Sequence, residues 1–120
     1  MNKSPEEVKA DFDFAISRGI NFIDIYSPNP DLRRNIGQAL AGRRDGFVIQ
    51  GHLSTVWEDG QYLRTRDIDK ILPAFEKQLE ELSTGYLDIG MSDYVDAEDE
   101  FHEVCDGGSI RAAQQLKAEG

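Results

Sequence analysis

The sequence predicts an α/β fold in which parallel strands alternate with helices. Segments with apolar residues at helical spacing end at glycines, and a short apolar run typical of a strand follows each of the first two. The resulting order is helix, strand, helix, strand, helix, strand, helix. Such alternation is typical of parallel strands joined by right-handed helical crossovers. A chain of 120 residues is long enough for one domain, so we assign residues 1–120 to a single domain.

The first helix has a strong start signal. Ser4 is placed to cap it, Pro5 suits its first turn, and Glu7 completes a capping box. Gly19 is a typical stop for this helix, and residues 21–26 read as the first strand. The apolar residues at helical spacing are Val8, Phe12, Ala15 and Ile16.

The second helix and strand follow a loop that contains two prolines. The segment Pro28-Asn29-Pro30 predicts extended backbone, because each proline disfavours helix in the residue before it. We expect Asp31 to open the second helix and Gly42 to end it. Residues 47–52 read as the second strand.

The remainder begins with a polar stretch, residues 54–66, which we predict to be a long loop with a turn at Asp59-Gly60. Asp67 is suited to cap a third helix, in which Pro73 marks either the first turn or a kink. Residues 86–91 read as the third strand. An acidic run follows, typical of a helix N-terminus, and Ser109 is expected to cap a last helix that ends at Gly120.

Composition excludes several classes of protein. Thirteen basic against 23 acidic residues give a net charge of −10, which disfavours nucleic-acid binding. The single cysteine excludes an internal disulfide and a cysteine-based metal cluster. No apolar run approaches the roughly 18 residues of a membrane span, so we expect no membrane partner. The first residues lack the apolar core of a signal peptide, and we therefore expect a cytoplasmic protein.

Five segments, in order and spacing, resemble the aldo/keto reductases. The stretch Gly19 to Asp24 matches the family's "GINFID" strand, which ends in its catalytic aspartate. The others, which resemble the helix, strand and loop segments that follow in the family, are residues 35–40, 47–49, 79–88 and 107–120. The resemblance implies part of a TIM (β/α)8 barrel, with three parallel strands alternating with four helices. It runs from the family's first helix to the helix before strand five.

The resemblance also implies candidate catalytic residues. The family uses an aspartate, a tyrosine, a lysine and a histidine; the tyrosine protonates a carbonyl while NADPH delivers hydride. Asp24 matches the aspartate, whereas the tyrosine position holds Asn29 and Tyr26 stands two residues after Asp24. The lysine position holds His52, and the histidine position holds Asp93. The candidate catalytic residues are therefore Asp24, Tyr26, His52 and Asp93.

The chemistry of these residues leaves alternatives open. If the side chains of Asp24, His52 and Asp93 converge, they would bind a divalent metal, support acid–base catalysis, or form a solvated hydrogen-bonded cluster. We assign no metal ligands among these alternatives. Tyr26 is suited either to proton donation or to packing on its strand face. Tyr62, on the predicted loop, would cover a pocket or fold over neighbouring aromatic residues.

Cofactor and partners follow from the same resemblance. It implies NADP(H) and a small carbonyl substrate, but the family holds its cofactor mainly with later strands, so we predict no cofactor-binding residues here. An open sheet face and edge would favour self-association or a complementary barrel half. We therefore expect aldo/keto reductase-like carbonyl reduction from a truncated barrel with a degraded site, weak or inactive alone. The alternative is a non-catalytic half-barrel assembly or binding module.

Overall fold

A three-stranded parallel sheet forms the centre of the fold. In the computed structural model, which describes residues 3–120, the strands are Phe22–Ile25 (β1), Val48–His52 (β2) and Ile89–Met91 (β5, numbered in chain order). The sheet order is β1-β2-β5, and both pairings are parallel. The predicted parallel arrangement is confirmed. All three strands therefore present their carboxyl ends at one edge, where α/β barrels carry their functional side chains.

Within the described residues there are five α-helices, one more than the four predicted. They are α1 (Pro5–Ser17), α2 (Pro30–Leu40), α3 (Ile68–Leu82), α4 (Glu98–Asp106) and α5 (Gly108–Glu119). The additional helix is α4, which begins in the acidic run. Its first turn contains three carboxylates, which interact favourably with the positive end of the helix dipole.

The helix starts follow the predicted chemistry with two corrections. Ser4 and Glu7 form the predicted capping box, and Asp67 caps α3. The cap of α2 is Asn29 rather than Asp31, because the Asn29 side chain accepts hydrogen bonds from the first backbone N–H groups. Ser109 does not cap α5, since the helix already begins at Gly108.

The predicted loop 54–66 is wrong, because most of it forms a β-hairpin. Thr55–Glu58 (β3) pairs antiparallel with Gln61–Arg64 (β4). The turn lies at Asp59-Gly60, as predicted, and both residues have positive φ, 50° and 77°. That backbone is typical of the tight turns that join paired antiparallel strands, so the two turn residues carried a hairpin signal.

The core lies between one face of the sheet and the helices. Buried side chains there include Ile25, Ile36, Ile49 and Leu82. A second cluster around Ile71 joins α3 to α5. No helix in residues 3–120 is long and apolar enough to span a bilayer.

The opposite face of the sheet is only partly covered. On this face Phe22 is 47% exposed and Ile89 is 39% exposed. They lie on β1 and β5, the outer strands of the sheet. An incomplete barrel has this arrangement: helices cover the outer face of its sheet, and apolar side chains are exposed on the inner face.

Candidate active site

Three of the four predicted residues form one hydrogen-bonded unit, which we call the Asp–His–Asp relay. His52 is the last residue of β2, Asp24 lies in β1, and Asp93 follows β5 by two residues. Nε2 of His52 is 2.7 Å from Oδ1 of Asp24, and Nδ1 is 2.9 Å from Oδ2 of Asp93. The imidazole therefore bridges two carboxylates across the carboxyl ends of all three parallel strands.

The geometry of the relay favours the protonated form of His52. An ionised carboxylate can only accept hydrogen bonds, so two carboxylates require both ring nitrogens to carry protons. Burial of His52, which is 6% exposed, lowers its pKa. The hydrogen bonds and negative charges of Asp93 and Asp24 oppose that effect and leave the pKa of His52 above its ordinary value. The relay thus favours the protonated form of the His52 ring over the neutral form.

Gln50 fixes one end of the relay. It lies directly opposite Asp24 in the β1–β2 register, and its amide donates a 3.1 Å hydrogen bond to Oδ1 of Asp24. Burial raises the pKa of Asp24, but the hydrogen bonds from His52 and Gln50 lower it by more. Asp24 therefore stays ionised below its ordinary range, although its side chain is 46% exposed.

Tyr26, the fourth predicted residue, lies beside the relay and belongs to a cluster of three phenols. Its ring meets His52 edge-on, with the ring centres 5.3 Å apart. Its hydroxyl lies 2.6 Å from that of Tyr94 and 3.4 Å from that of Tyr62, and Tyr62 and Tyr94 are also hydrogen-bonded. The described contacts of the Tyr26 hydroxyl are thus with other phenols rather than with the relay.

Arg64 contacts two members of the phenol cluster, Tyr62 and Tyr94. Its guanidinium lies 3.7 Å from the ring centre of Tyr94. Burial raises the pKa of Tyr62, but hydrogen bonds from Tyr26, Tyr94 and Arg64 lower it by more, so the net shift is downward. The pKa of Tyr94 is shifted upward, mainly by burial. The sequence left open whether Tyr62 covers a pocket or folds over neighbouring aromatic residues, and the structure places it against Tyr26 and Tyr94. Tyr94 was not predicted. Its one signal was its position just after the third strand, next to Asp93.

The relay is poorly arranged to bind a metal. The two carboxylates lie against opposite nitrogens of the His52 ring, and both nitrogens are already engaged in hydrogen bonds to those carboxylates. In the part of the chain that the structure describes, no group of three His, Cys, Asp or Glu side chains is placed to hold a metal ion. Of the alternatives left open by the sequence, the geometry favours acid–base chemistry or a hydrogen-bonded cluster.

The residues around the relay do not fit a nicotinamide dinucleotide. The cavity next to Asp93 has a volume of about 210 Å³, below the roughly 300–1,000 Å³ of ordinary ligand pockets. Its lining includes the carboxylates of Asp93, Glu100 and Glu103, which repel phosphate groups. A larger cavity of about 620 Å³ lies elsewhere, between α3, β5 and α5, with largely apolar side chains such as Phe75 and Leu116.

Comparison with known proteins identifies the fold. No protein-family model matches the chain, and no curated protein matches it significantly by sequence. Among solved structures, a candidate aldo-keto reductase from Pseudomonas aeruginosa superposes with a TM-score of 0.83 at 22% identity, covering 98% of this chain and 46% of its own. The holo form of an aldo-keto reductase from Bacillus halodurans gives a TM-score of 0.79 at 22% identity, covering 99% and 40%. A glycerol dehydrogenase from Gluconobacter oxydans gives 0.73 at 20% identity, covering 100% and 38%.

The likeness covers this chain almost completely but less than half of each of these structures. At this level of identity it defines the fold. The resemblance predicted from the sequence is confirmed at that level: the chain has the fold of a partial TIM barrel of the aldo-keto reductase type.

Proposed function

We propose that this chain belongs to the aldo-keto reductases and supplies the proton-handling part of a site that reduces a small carbonyl compound. The observation that carries this proposal is the Asp–His–Asp relay at the carboxyl ends of strands in a barrel of this type. The reducing equivalent, hydride from NAD(P)H, must be held outside the residues described here. A complementary barrel half, or a second copy of the chain, is the partner that would supply that part.

The proposed chemistry follows from the charge on the carbonyl oxygen. Reduction of a carbonyl places negative charge on oxygen in the transition state, and a fixed cation with a nearby proton donor stabilises it. Two carboxylates flank His52, so the relay has no net positive charge, and the proposed stabilisation of the oxygen comes from a phenol hydrogen-bond donor. Tyr26, whose ring lies edge-on to His52 and whose hydroxyl is hydrogen-bonded to two other phenols, is the proposed proton donor. Asp24 and Asp93 keep the imidazole charged and oriented.

An assembly role is the second candidate, and one observation favours it. Phe22 and Ile89 expose apolar surface on the two outer strands of the sheet. An exposed apolar edge strand is a site of association with another chain. In this alternative the chain is a half-barrel module that binds a partner without catalysis, and the relay only stabilises the sheet.

The two candidates are separated by an assay of the chain alone and after mixing with a complementary barrel half. That half would be the uncovered part of the Pseudomonas aeruginosa structure. We expect carbonyl-dependent oxidation of NADPH in the mixture, measured by the loss of nicotinamide absorbance with small aldehydes. Asp24→Asn should lower that rate at least tenfold. Asp106→Asn, at a side chain that is 81% exposed, is the matched control and should leave it unchanged.

The opposite results are equally informative. Formation of a stable complex, with no oxidation of NADPH and no change in its fluorescence on titration, would support the assembly module and contradict catalysis. Equal losses of rate in both aspartate variants would remove Asp24 from the proposed chemistry.

A further inference from the structure

The hydroxyls of the phenol cluster meet at one point beside the relay. The Tyr26 hydroxyl lies 2.6 Å from that of Tyr94 and 3.4 Å from that of Tyr62, and the hydroxyls of Tyr62 and Tyr94 are bonded to each other. Each hydroxyl has one proton, so each can donate to one neighbour and accept from the other. When one of the three loses its proton, the phenolate that remains can accept from both of the others.

This arrangement favours one ionised phenol in the cluster. A hydrogen bond to an ionised oxygen is roughly twice as strong as one between neutral groups. The first phenolate gains two such bonds, whereas a second phenolate would remove a donor and stand beside a like charge. The three phenols are therefore arranged to act as one acid that releases a single proton.

The three hydroxyls come from separate parts of the fold, each held by other contacts. Tyr62 lies in β4 opposite Trp57 of β3, and its ring stacks on that of Tyr26 with the ring centres 6.3 Å apart. Tyr94 follows β5 with a left-handed φ of 61°, and its backbone carbonyl accepts a hydrogen bond from Arg66. Residues with such backbone persist where the surrounding contacts hold them, so the meeting of the hydroxyls is built into the fold.

The charged neighbours favour Tyr62 as the residue that holds the negative charge. Arg64 lies two residues from Tyr62 on β4, so both side chains project from the same face of that strand. Burial raises the pKa of Tyr62, but the bonds from Tyr26, Tyr94 and Arg64 lower it by more. Burial, the bonds to the other two phenols and the negative charge of Asp93 all raise the pKa of Tyr94. A phenolate is therefore better placed at Tyr62 than at Tyr94.

Tyr26 is a poorer position for that charge than Tyr62. The described contacts of its hydroxyl are with the other two phenols. Its ring lies edge-on to His52, but the positive charge of that ring is offset by the carboxylates of Asp24 and Asp93. A negative charge formed on Tyr26 is thus stabilised by transfer to Tyr62.

We propose that Tyr62 and Arg64 are positioning residues that take over the negative charge left when Tyr26 gives up its proton. This inference rests on the proposed function. The O–H bond of Tyr26 breaks as a new O–H bond forms on the carbonyl oxygen, whose carbon receives hydride from NAD(P)H. Tyr94 then passes its proton to Tyr26 and takes the proton of Tyr62, so the charge ends on the oxygen of Tyr62. A proton from water restores the Tyr62 hydroxyl.

The test is a pH titration of the full chain, labelled with carbon-13 at Cζ of its four tyrosines and followed by NMR. Single replacements of tyrosine by phenylalanine assign the signals, and circular dichroism checks that the fold is intact at each pH. We expect Tyr62 to ionise first in the cluster, below the ordinary tyrosine pKa of about 10. Arg64→Gln should move that midpoint to higher pH, because it removes the positive charge beside Tyr62.

Tyr86→Phe is the matched control. Tyr86 also lies beside an arginine, with the guanidinium of Arg44 4.1 Å from its ring centre, but it stands outside the phenol cluster. This variant should leave the midpoint of Tyr62 unchanged.

Other results would overturn the proposal. Ionisation of Tyr26 or Tyr94 before Tyr62, or an unchanged Tyr62 midpoint in Arg64→Gln, would show that the charge is held elsewhere. Ionisation of Tyr62 only at or above a pH of about 10 would have the same meaning. The titration needs no turnover, so a failure to oxidise NADPH in the mixed assay would count against the proposed function alone. Oxidation of NADPH together with late ionisation of Tyr62 would count against this inference alone.

Discussion

Replacement of His52 by glutamine tests whether the relay stabilises the fold through its charge. The side chain of Asp93 is 14% exposed, so its bond to His52 is a sheltered charge-assisted hydrogen bond, of a kind that contributes about 1.5–3 kcal/mol. The side chain of Asp24 is 46% exposed, and solvent screening limits its ion pair to about 0–1 kcal/mol. Since glutamine brings no positive charge and can donate to only one of the two carboxylates, we expect His52→Gln to lose about 1–3 kcal/mol near pH 6.

The pH dependence carries the stronger test. The pKa of His52 in the folded protein lies above 6.5, its ordinary value, so the charged relay contributes fully below 6.5. That contribution declines as the pH rises through the folded pKa. A neutral ring can donate to only one of the two carboxylates. The difference in stability between wild type and His52→Gln should therefore shrink as the pH is raised. On the acid side, the pKa of Asp24 in the folded protein lies below 3.8, so its contribution persists down to that value and is lost as the pH falls through the folded pKa.

The assay is urea unfolding of both proteins at a series of pH values from about 6 to 9, which spans the ordinary pKa of histidine. His102→Gln is the matched control, because the side chain of His102 is 64% exposed and lies 3.8 Å from its carboxylate partner. That variant should change stability by less than about 0.5 kcal/mol throughout. A loss for His52→Gln that stays constant across the pH range would refute the charged relay, since it would show that only packing was removed.

Two further predictions concern the fold around the site. In Gly37→Ala a new methyl group would lie 2.8 Å from backbone atoms of Leu82; the overpacking cost of about 1–3 kcal/mol should exceed the gain of about 1 kcal/mol in helix propensity. Gly46→Ala is the control, because no atom lies within 4 Å of its new methyl group. Equal denaturation midpoints for the Gly37→Ala and Gly46→Ala variants would contradict the close approach of α2 and α3 at Gly37. Asp88→Asn should lose about 1–2 kcal/mol by denaturant titration, because its carboxylate accepts from the backbone of Ile49 at 2.8 Å and from Arg44 at 2.9 Å. Burial raises the pKa of Asp88 but these two donors lower it by more, so the loss should disappear as the pH falls below 3.8 and through the folded pKa; an unchanged midpoint at neutral pH would contradict this role.

The parts of the fold that the sequence predicts are those set by local chemistry. The capping box at Ser4 and the strand around Asp24 depend on a few adjacent residues, and both are found. The convergence of Asp24, His52 and Asp93 could be predicted because each follows or ends an apolar run, and parallel strands bring such ends to one edge.

The features that were missed depend on tertiary contacts. The hairpin had a clear turn signal at Asp59-Gly60. The pairing of its strands was not predicted, because Gln61, Leu63 and Arg64 of β4 are exposed and form no buried apolar face. The meeting of Tyr94 with Tyr26 depends on a left-handed residue whose conformation no propensity favours. The bond from Gln50 to Asp24 follows from the strand register, which the spacing of residues along each strand leaves open.

His52 and Asp93 stand at the positions that the sequence resemblance assigns to a lysine and a histidine, and the protonation of His52 depends on Asp93. A lysine, with an ordinary pKa of about 10.4, would remain charged beside Asp24 without help, whereas a buried histidine, with an ordinary pKa of about 6.5, would lose its proton. Asp93 helps to raise the pKa of His52, because it bonds the ring nitrogen that Asp24 does not contact. A neutral imidazole at position 93 would supply no negative charge and would leave His52 with a single carboxylate. In the proposed site, Asp93 thus helps to keep a proton on His52 beside Asp24, and the phenol cluster around Tyr26 lies against the same ring.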